Sequence, residues 1–135
     1  MAGKDVETGD KLDVRFNSDG LIPAIVQDVD SGAVLMLAWM NDAALQATLQ
    51  SKKATFHSRS RGKMWVKGES SGHVMHVVEV RVDCDQDAIL LRCKAAGPAC
   101  HAGYQSCFYR AADAKGRLSF VEDKVFDPDQ VYGKS

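Results

Sequence analysis

Hydrophobic and polar residues alternate in short blocks along most of the chain, and the block lengths favour β-strands. Two apolar runs, residues 21–28 and 34–40, flank a polar stretch with the composition of a turn, which predicts a hairpin. Strict alternation over residues 74–82 predicts a further strand. We expect shorter strands at residues 88–92, 104–109 and 117–121, with a turn at 113–116.

One segment departs from this strand pattern. Asn41 can cap a helix of about three turns. Leu45 and Leu49 lie one turn apart on this helix, and Lys52 suits the negative charge at its C-terminal end. Residues 55–72 are polar and punctuated by glycine, and we interpret them as a strand, a binding loop and a second strand. The pattern therefore predicts an α+β fold, mainly an antiparallel β-sheet or roll with one or two short helices.

Length and charge narrow the class of protein. A chain of 135 residues is most naturally one domain, which we place at residues 20–121, between a frayed polar leader (1–19) and a polar tail (122–135). A net charge of -1 argues against a general nucleic-acid binder. The sequence holds no apolar run of membrane-spanning length, so we expect a cytoplasmic protein that contacts no membrane and keeps its cysteines reduced.

Three aspartates stand at alternate positions: Asp83, Asp85 and Asp87. Charges this close repel one another unless a cation or water offsets the repulsion, and clustered carboxylates prefer magnesium- or calcium-like ions. The loop is not an EF-hand, because its sixth and twelfth positions are Ala88 and Lys94 instead of Gly and Glu. A solvated acidic turn is the alternative interpretation.

Cysteines at three places suit a second, softer metal. Cys100 and Cys107 lie seven apart across Gly103, so a loop can bring both toward Cys84, and three thiolates with one open position are typical of catalytic zinc. If the preceding strand continued, Cys84 would point away from the aspartates. Either the strand ends or bulges there, or Cys84 faces another element or a second subunit. Unrelated thiols are the alternative, and we interpret Cys93 as a small hydrophobe.

Two further features could serve a hydrolytic site. His101 follows a candidate ligand and is the first candidate for proton transfer, with a surface histidine as the alternative. The loop after residue 57 offers hydroxyl groups, guanidinium groups and an aromatic ring, which suit phosphate oxygens and a nucleobase. A solvated basic loop is the other interpretation. The candidate binding residues of the loop after residue 57 are Ser58, Arg59, Ser60, Arg61, Trp65 and Lys67.

Four ordered blocks carry a family resemblance. They are Ser-Arg-Ser-Arg at 58–61, Trp-Val-Lys-Gly-Glu-Ser-Ser-Gly at 65–72, Asp-Cys-Asp-Gln-Asp at 83–87 and Ala-Cys-His-Ala-Gly-Tyr-Gln-Ser-Cys-Phe at 99–108. Together they closely resemble the phosphoribosyl-AMP cyclohydrolase family of histidine biosynthesis. Residues 35–41 match a further family block, and the resemblance covers roughly residues 21–110. It departs from the family at Ala102, where Thr is usual, and at His57, where an aromatic is common.

The resemblance implies a metal-dependent hydrolase that opens the adenine ring of 1-(5-phosphoribosyl)-AMP between N1 and C6. It implies zinc on Cys84, Cys100 and Cys107 and magnesium on Asp83, Asp85 and Asp87. It also implies an intertwined homodimer with active sites at the subunit interface, proton transfer by His101, and substrate contacts from the basic loop and Glu69. Residues 20–121 would be the catalytic domain.

Two other functions fit part of the pattern. One is a zinc-stabilised module that binds nucleotides or single strands through the Trp-containing loop without catalysis. The other is a different zinc hydrolase or deaminase acting on purine nucleotides, although the deaminase signatures H-x-E and P-C-x-x-C do not occur. The aspartates separate these alternatives, because a structural module has no use for a second, oxygen-liganded cation.

Overall fold

A computed structural model of the chain describes residues 4–129. The first three residues of the expected leader and the last six of the expected tail lie outside this range, and the division into leader, domain and tail stays a prediction. The elements run α1 (Lys4–Thr8), β1 (Ile22–Asp28), β2 (Val34–Met40), α2 (Asp42–Ser51), β3 (Thr55–Ser58), β4 (Lys63–Val66), β5 (Met75–Val82), β6 (Ile89–Ala95), β7 (Arg110–Ala112) and β8 (Leu118–Phe120).

Four of the strands form the central sheet, in the order β2-β1-β6-β5. The outer pairs are antiparallel, whereas β1 and β6 run parallel, with Ala24 opposite Ile89. Two antiparallel hairpins, β3-β4 and β7-β8, complete the described strands. The predicted α+β class with mainly antiparallel strands is therefore confirmed, and the parallel centre is an addition to it.

The core lies on one face of the sheet because the central strands alternate buried and less buried residues. Ile22, Ala24 and Val26 of β1 are fully buried, as are Leu91 and Cys93 of β6. A strand with this period places every second side chain on the same face, so the apolar alternation in the sequence becomes a continuous buried layer.

Helix α2 begins where the sequence predicts. The side chain of Asn41 accepts a hydrogen bond from Ala44 N at 2.9 Å, which satisfies an N–H group that the first turn leaves unpaired. The helix ends at Lys52 in the left-handed conformation, with φ 60°. The hydroxyl of Thr48 donates to Thr55 O at 3.1 Å and so fixes the helix against β3, where the binding hairpin starts.

Most predicted strands are confirmed, and one is wrong. The hairpin β1-β2, the pair β3-β4, and strands β5, β6 and β8 lie where their patterns predict. Residues 104–109 form no strand, because Tyr104 O accepts a hydrogen bond from the nearby Cys100 N within a loop. Strand β5 also carries an irregularity between Val77 and Glu79, which shifts its alternation. Within residues 4–129, neither helix has the length and apolar character needed to cross a membrane.

Candidate metal and substrate site

The three aspartates lie on a tight turn that follows β5, and we call residues 83–87 the aspartate turn. Asp83 Oδ1 accepts hydrogen bonds from the backbone N–H groups of Asp87 at 2.9 Å and Ala88 at 3.1 Å. Gln86 supplies the left-handed residue, with φ 59°. Strand β5 ends at Val82, before the aspartates, which is one of the alternatives that the sequence left open. The turn, and not alternation along a strand, therefore brings the aspartates together.

The aspartate turn gathers three carboxylates in one small volume. One ligand oxygen from each aspartate lies within 4.8 Å of the other two. Hydrogen bonding with Asp83 and Asp85, together with their negative charge, raises the pKa of Asp87 to about 6. Burial opposes ionisation of Asp83, but its hydrogen bonds with Asp87 and Ala88 outweigh burial and lower its pKa. The all-oxygen set fits a magnesium-like cation, which would relieve the repulsion.

Two of the candidate zinc ligands lie on residues 99–107, which we call the thiol loop. Its backbone bonds to itself, because Ala99 N donates to Gln105 O at 3.0 Å and Cys100 N donates to Tyr104 O at 3.1 Å. Gly103 completes the reversal at φ 104°. The loop therefore brings its two ends together without help from the sheet.

Contacts with distant segments hold the thiol loop in place. Cys107 N donates to Leu35 O of β2 at 2.7 Å, and the hydroxyl of Ser106 donates to Val34 O at 2.8 Å. Ser106 N in turn donates to Glu122 Oε1 at 3.2 Å. Ser106 is buried, so these bonds fix the end of the loop that carries Cys107 against the edge of the central sheet.

The thiols of Cys100 and Cys107 interact with each other. Cys107 is exposed as a whole residue, but its sulfur is partly buried. This burial and the neighbouring Cys100 raise the pKa of the Cys107 thiol to about 11, whereas the positive charge of Lys67 acts in the opposite direction. Cys100 Sγ accepts a hydrogen bond from Ala102 N at 3.4 Å. Thiolate sulfurs are the ligands that soft metals prefer, and binding of such a metal would displace the thiol protons.

The third predicted ligand does not join this pair within one chain. Over residues 4–129, the aspartates form the only group of at least three His, Cys, Asp or Glu side chains with ligand atoms close enough to share an ion. Cys84 is exposed on the aspartate turn. The fourth cysteine, Cys93, is fully buried, and burial raises the pKa of its thiol to about 12. This placement agrees with a packing role.

Lys67 links the binding hairpin to the thiol loop. Its Nζ donates to Ala99 O at 2.5 Å. Burial lowers the pKa of its ammonium group, while Cys107 and Cys100 act in the opposite direction. A groove of about 300 Å³ beside it contains five of the predicted site residues: Arg61, Trp65, Lys67, Glu69 and His101. The sequence blocks at 58–72 and 99–108 therefore meet in space.

The other predicted binding residues border a second groove, of about 590 Å³. Ser58 ends β3, Arg59 and Ser60 lie on the turn that follows, and Trp65 lies opposite Phe56 in the same hairpin. The guanidinium group of Arg59 lies over the ring of Trp39 at 4.9 Å, which holds the cation at the groove wall.

Trp39 lies between this groove and Asp87, although no pattern in the sequence assigned it a role at the site. It also borders a third groove, of about 460 Å³, together with Asp87, Arg15 and Phe16. Its signal in the sequence was its place in the block at 35–41. Arg15 carries no comparable signal, because it stands in a segment that composition alone describes as a leader.

Fold and site define a small α+β protein whose carboxylates and cations border neighbouring grooves, with a pair of thiols beside Lys67 of one groove. This arrangement is suited to hydrolysis of a phosphorylated ligand. Residues 36–109 match the family described as phosphoribosyl-AMP cyclohydrolase. The chain belongs to that family.

Similar proteins come from several organisms. A phosphoribosyl-AMP cyclohydrolase of Rhizorhabdus wittichii is 63% identical over 113 residues, which cover 84% of this chain and 91% of that protein. One of Chlorobium chlorochromatii is 53% identical over 121 residues, or 90% and 88% of the two chains. One of Haloquadratum walsbyi is 52% identical over 122 residues, or 90% and 89%.

Proposed function

We propose that the chain is a phosphoribosyl-AMP cyclohydrolase, a hydrolase of histidine biosynthesis. It adds water at C6 of the adenine ring of 1-(5-phosphoribosyl)-AMP, the N1–C6 bond breaks, C6 becomes an amide carbonyl and N1 gains a proton. The observation that carries the proposal is that the matched residues 36–109 contain the aspartate turn, the thiol loop and the basic hairpin together. A non-catalytic nucleotide-binding module would not require this combination.

The grooves suggest what the side chains do. Arg59 and Arg61 offer guanidinium forks to phosphate oxygens, and the hydroxyls of Ser58 and Ser60 complete that surface. Trp65 borders the grooves on both sides of the hairpin and offers a face for the base. We assign substrate binding to these residues together with Lys67 and Glu69.

His101 is the proposed proton carrier. It borders the same groove as Lys67 and Glu69, beside the thiol loop. A histidine there can take a proton from water and return it to the departing nitrogen, since imidazole exchanges protons near neutral pH.

Metal dependence belongs to the proposal. Asp83, Asp85 and Asp87 would hold Mg²⁺, and Cys84, Cys100 and Cys107 would hold Zn²⁺. The oxygen cluster and the interacting thiol pair support these assignments. Bound zinc would supply the Lewis acidity that makes water a better nucleophile near neutral pH.

We further propose an intertwined homodimer in which Cys84 completes the thiol set of the partner subunit. One chain does not bring Cys84 to the other two thiols, which supports an incomplete site in the single chain. Large apolar side chains also stand exposed on the chain, among them Val78 at 59% and Phe120 at 63%. A second copy would cover such surface and contribute the missing sulfur. The cytoplasmic location stays a prediction.

Mixing two inactive variants tests the proposal. Cys84→Ser and Cys107→Ser should each lack turnover of phosphoribosyl-AMP, measured by absorbance. If the thiols come from two subunits, unfolding and refolding the two together should restore about one quarter of the native activity. Half of the dimers are then mixed, and each mixed dimer has one intact site.

A matched pair provides the control. Cys84→Ser and Asp85→Asn lie on the same turn, so both sites of a mixed dimer stay damaged. In limiting Mg²⁺, where Asp85→Asn is itself weakly active, activity should not return. Restoration in both mixtures, or in neither, would contradict the shared-site arrangement. Ligand binding by the native chain without turnover would instead favour the non-catalytic nucleotide-binding module.

A further inference from the structure

Gln86 is a buried polar residue on an otherwise accessible acidic turn. It is 3% exposed, between Asp85 and Asp87, and it holds φ 59°. The left-handed conformation costs a residue with a Cβ about 1 kcal/mol or more of conformational free energy. It persists only where surrounding contacts fix it. The contacts of Gln86 should therefore explain the shape of the turn.

The backbone N–H of Gln86 donates to Asp83 O within the turn at 3.0 Å, whereas its side chain and its carbonyl bond to the segment before β1. Gln86 Oε1 accepts a hydrogen bond from Asp13 N at 2.7 Å, and Nε2 donates to Val6 O at 3.1 Å and to Lys11 O at 3.3 Å. The backbone carbonyl of Gln86 accepts from Arg15 N at 2.8 Å. Four hydrogen bonds thus connect one residue of the aspartate turn to residues 6–15.

The same segment forms a wall of the groove beside the aspartates. Arg15 and Phe16 border it together with Asp87 and Trp39. The segment lies outside the matched residues 36–109, so the family match does not by itself place it at the site, whereas the packing of the chain does.

We propose that Gln86 is a positioning residue for the divalent-cation site. It docks residues 6–15 against the aspartate turn, and this docking holds the carboxylates of Asp85 and Asp87 in the arrangement that binds the cation. The inference rests on the proposed function, because it takes the aspartates as the cation ligands. Groups that orient metal ligands typically change metal affinity by about 10- to 100-fold when they are removed.

The variant Gln86→Gly isolates the side chain, since glycine keeps the left-handed backbone without strain and deletes the amide. The full-length Gln86→Gly variant is titrated with Mn²⁺ alone in a calorimeter. Its affinity for Mn²⁺ should be about 10-fold below that of the native chain. Hydrogen exchange should show lost protection at the amides of Asp13 and Arg15. Gln27→Ala is the matched control, because Gln27 also donates to a backbone carbonyl, that of Gly32 at 3.0 Å in the β1-β2 turn. It should leave Mn²⁺ affinity unchanged.

Three results would overturn the inference. If Gln86→Gly binds Mn²⁺ as tightly as the native chain, the segment does not position the aspartates, and the proposed function is unaffected. If the two amides keep their protection, Gln86 is not the tether. If the native chain binds Mn²⁺ no better than Asp85→Asn does, the cation site itself is wrong, and this inference fails with that part of the proposed function.

Discussion

The aspartate turn and the thiol loop collect candidate metal ligands in opposite ways. The turn uses five consecutive residues, and hydrogen bonds within it bring all three carboxylates together in one chain. The thiol loop supplies two sulfurs, and its position depends on contacts with β2 and with Glu122. The turn therefore clusters its ligands within one chain, whereas the thiol loop requires other parts of the fold to hold it and, we propose, a second subunit to complete its set of ligands.

The largest effect should come from the thiol loop. Cys107→Ser should lower turnover by about 1,000-fold or more, because the variant would lose the proposed zinc. Zinc lowers the pKa of bound water by several units and so makes it a better nucleophile. The absorbance assay and the zinc content of the purified protein measure this. Cys93→Ala is the control: Cys93 is fully buried and is not among the assigned ligands, so activity should persist with a modest loss of stability. Native turnover by Cys107→Ser would remove the thiol loop from the site.

Asp85→Asn should have a smaller and partly reversible effect. Losing one of three carboxylates should weaken cation binding by about 10- to 100-fold, so the concentration of Mg²⁺ at half-maximal activity should rise by a similar factor. Titrating activity with Mg²⁺ checks this. Excess Mg²⁺ should rescue Asp85→Asn but not Cys107→Ser. Equal rescue of both variants would mean that the two regions do not bind different metals.

The packing of the thiol loop can be tested without touching a ligand. At Gly103, which has φ 104°, an added Cβ would lie 2.7 Å from Phe126 O, so Gly103→Ala should lower the free energy of unfolding by about 2 kcal/mol. Gly116→Ala is matched in backbone conformation, with φ 80°, but an added Cβ meets no atom within 4 Å. It should cost about 1 kcal/mol, from the backbone alone. Equal losses in urea unfolding would show that the loop tolerates displacement from residues 126–128.

The smallest effect concerns β5, the strand that leads into the aspartate turn. Hydrogen bonds from Arg92 and then Arg81 lower the pKa of Glu79 below its ordinary value of 4.5. A carboxyl group whose pKa is lower in the folded state stabilises the protein at pH values above its pKa in the unfolded state. This stabilisation is lost as the pH falls through its pKa in the folded state. Glu79→Gln should therefore be slightly less stable than the native chain near pH 7. The difference should shrink as pH falls below 4.5, the ordinary pKa of Glu, and vanish once Glu79 is protonated in the folded state. Thermal unfolding at several pH values measures it, and a constant difference would contradict the ion pairs.

Local patterns predicted most of the fold. The β1-β2 hairpin, the cap of α2 at Asn41 and the strand period of β5 each depend on residues close in sequence, and all three are confirmed. The predicted strand over 104–109 is wrong because the backbone of the thiol loop pairs with itself. Apolar residues in that segment resemble a strand, and only the position of the Gly103 reversal shows otherwise.

The candidate site divides along the same line. Asp83, Asp85 and Asp87 were predicted as a cluster because they are neighbours in sequence, and the structure brings them together. Trp39 and the segment around Arg15 were not predicted at the site, because no local pattern reports which loops meet after the chain folds. The pairing of β1 with β6 sets the segment around Arg15 beside the residues before β6, and the pairing of β1 with β2 sets Trp39 opposite Pro23.

The parallel pairing of β1 with β6 also bears on how the chain acquires its structure. Ala24 and Ile89 are neighbours in the sheet although nearly half of the chain separates them, so their contact closes a long loop at an entropic cost. The β1-β2 hairpin and the β5-β6 pair can form earlier, since each joins segments close in sequence. The aspartate turn would then be shaped early on the β5-β6 unit, and its junction with the N-terminal segment would follow only in the last, slow step of folding.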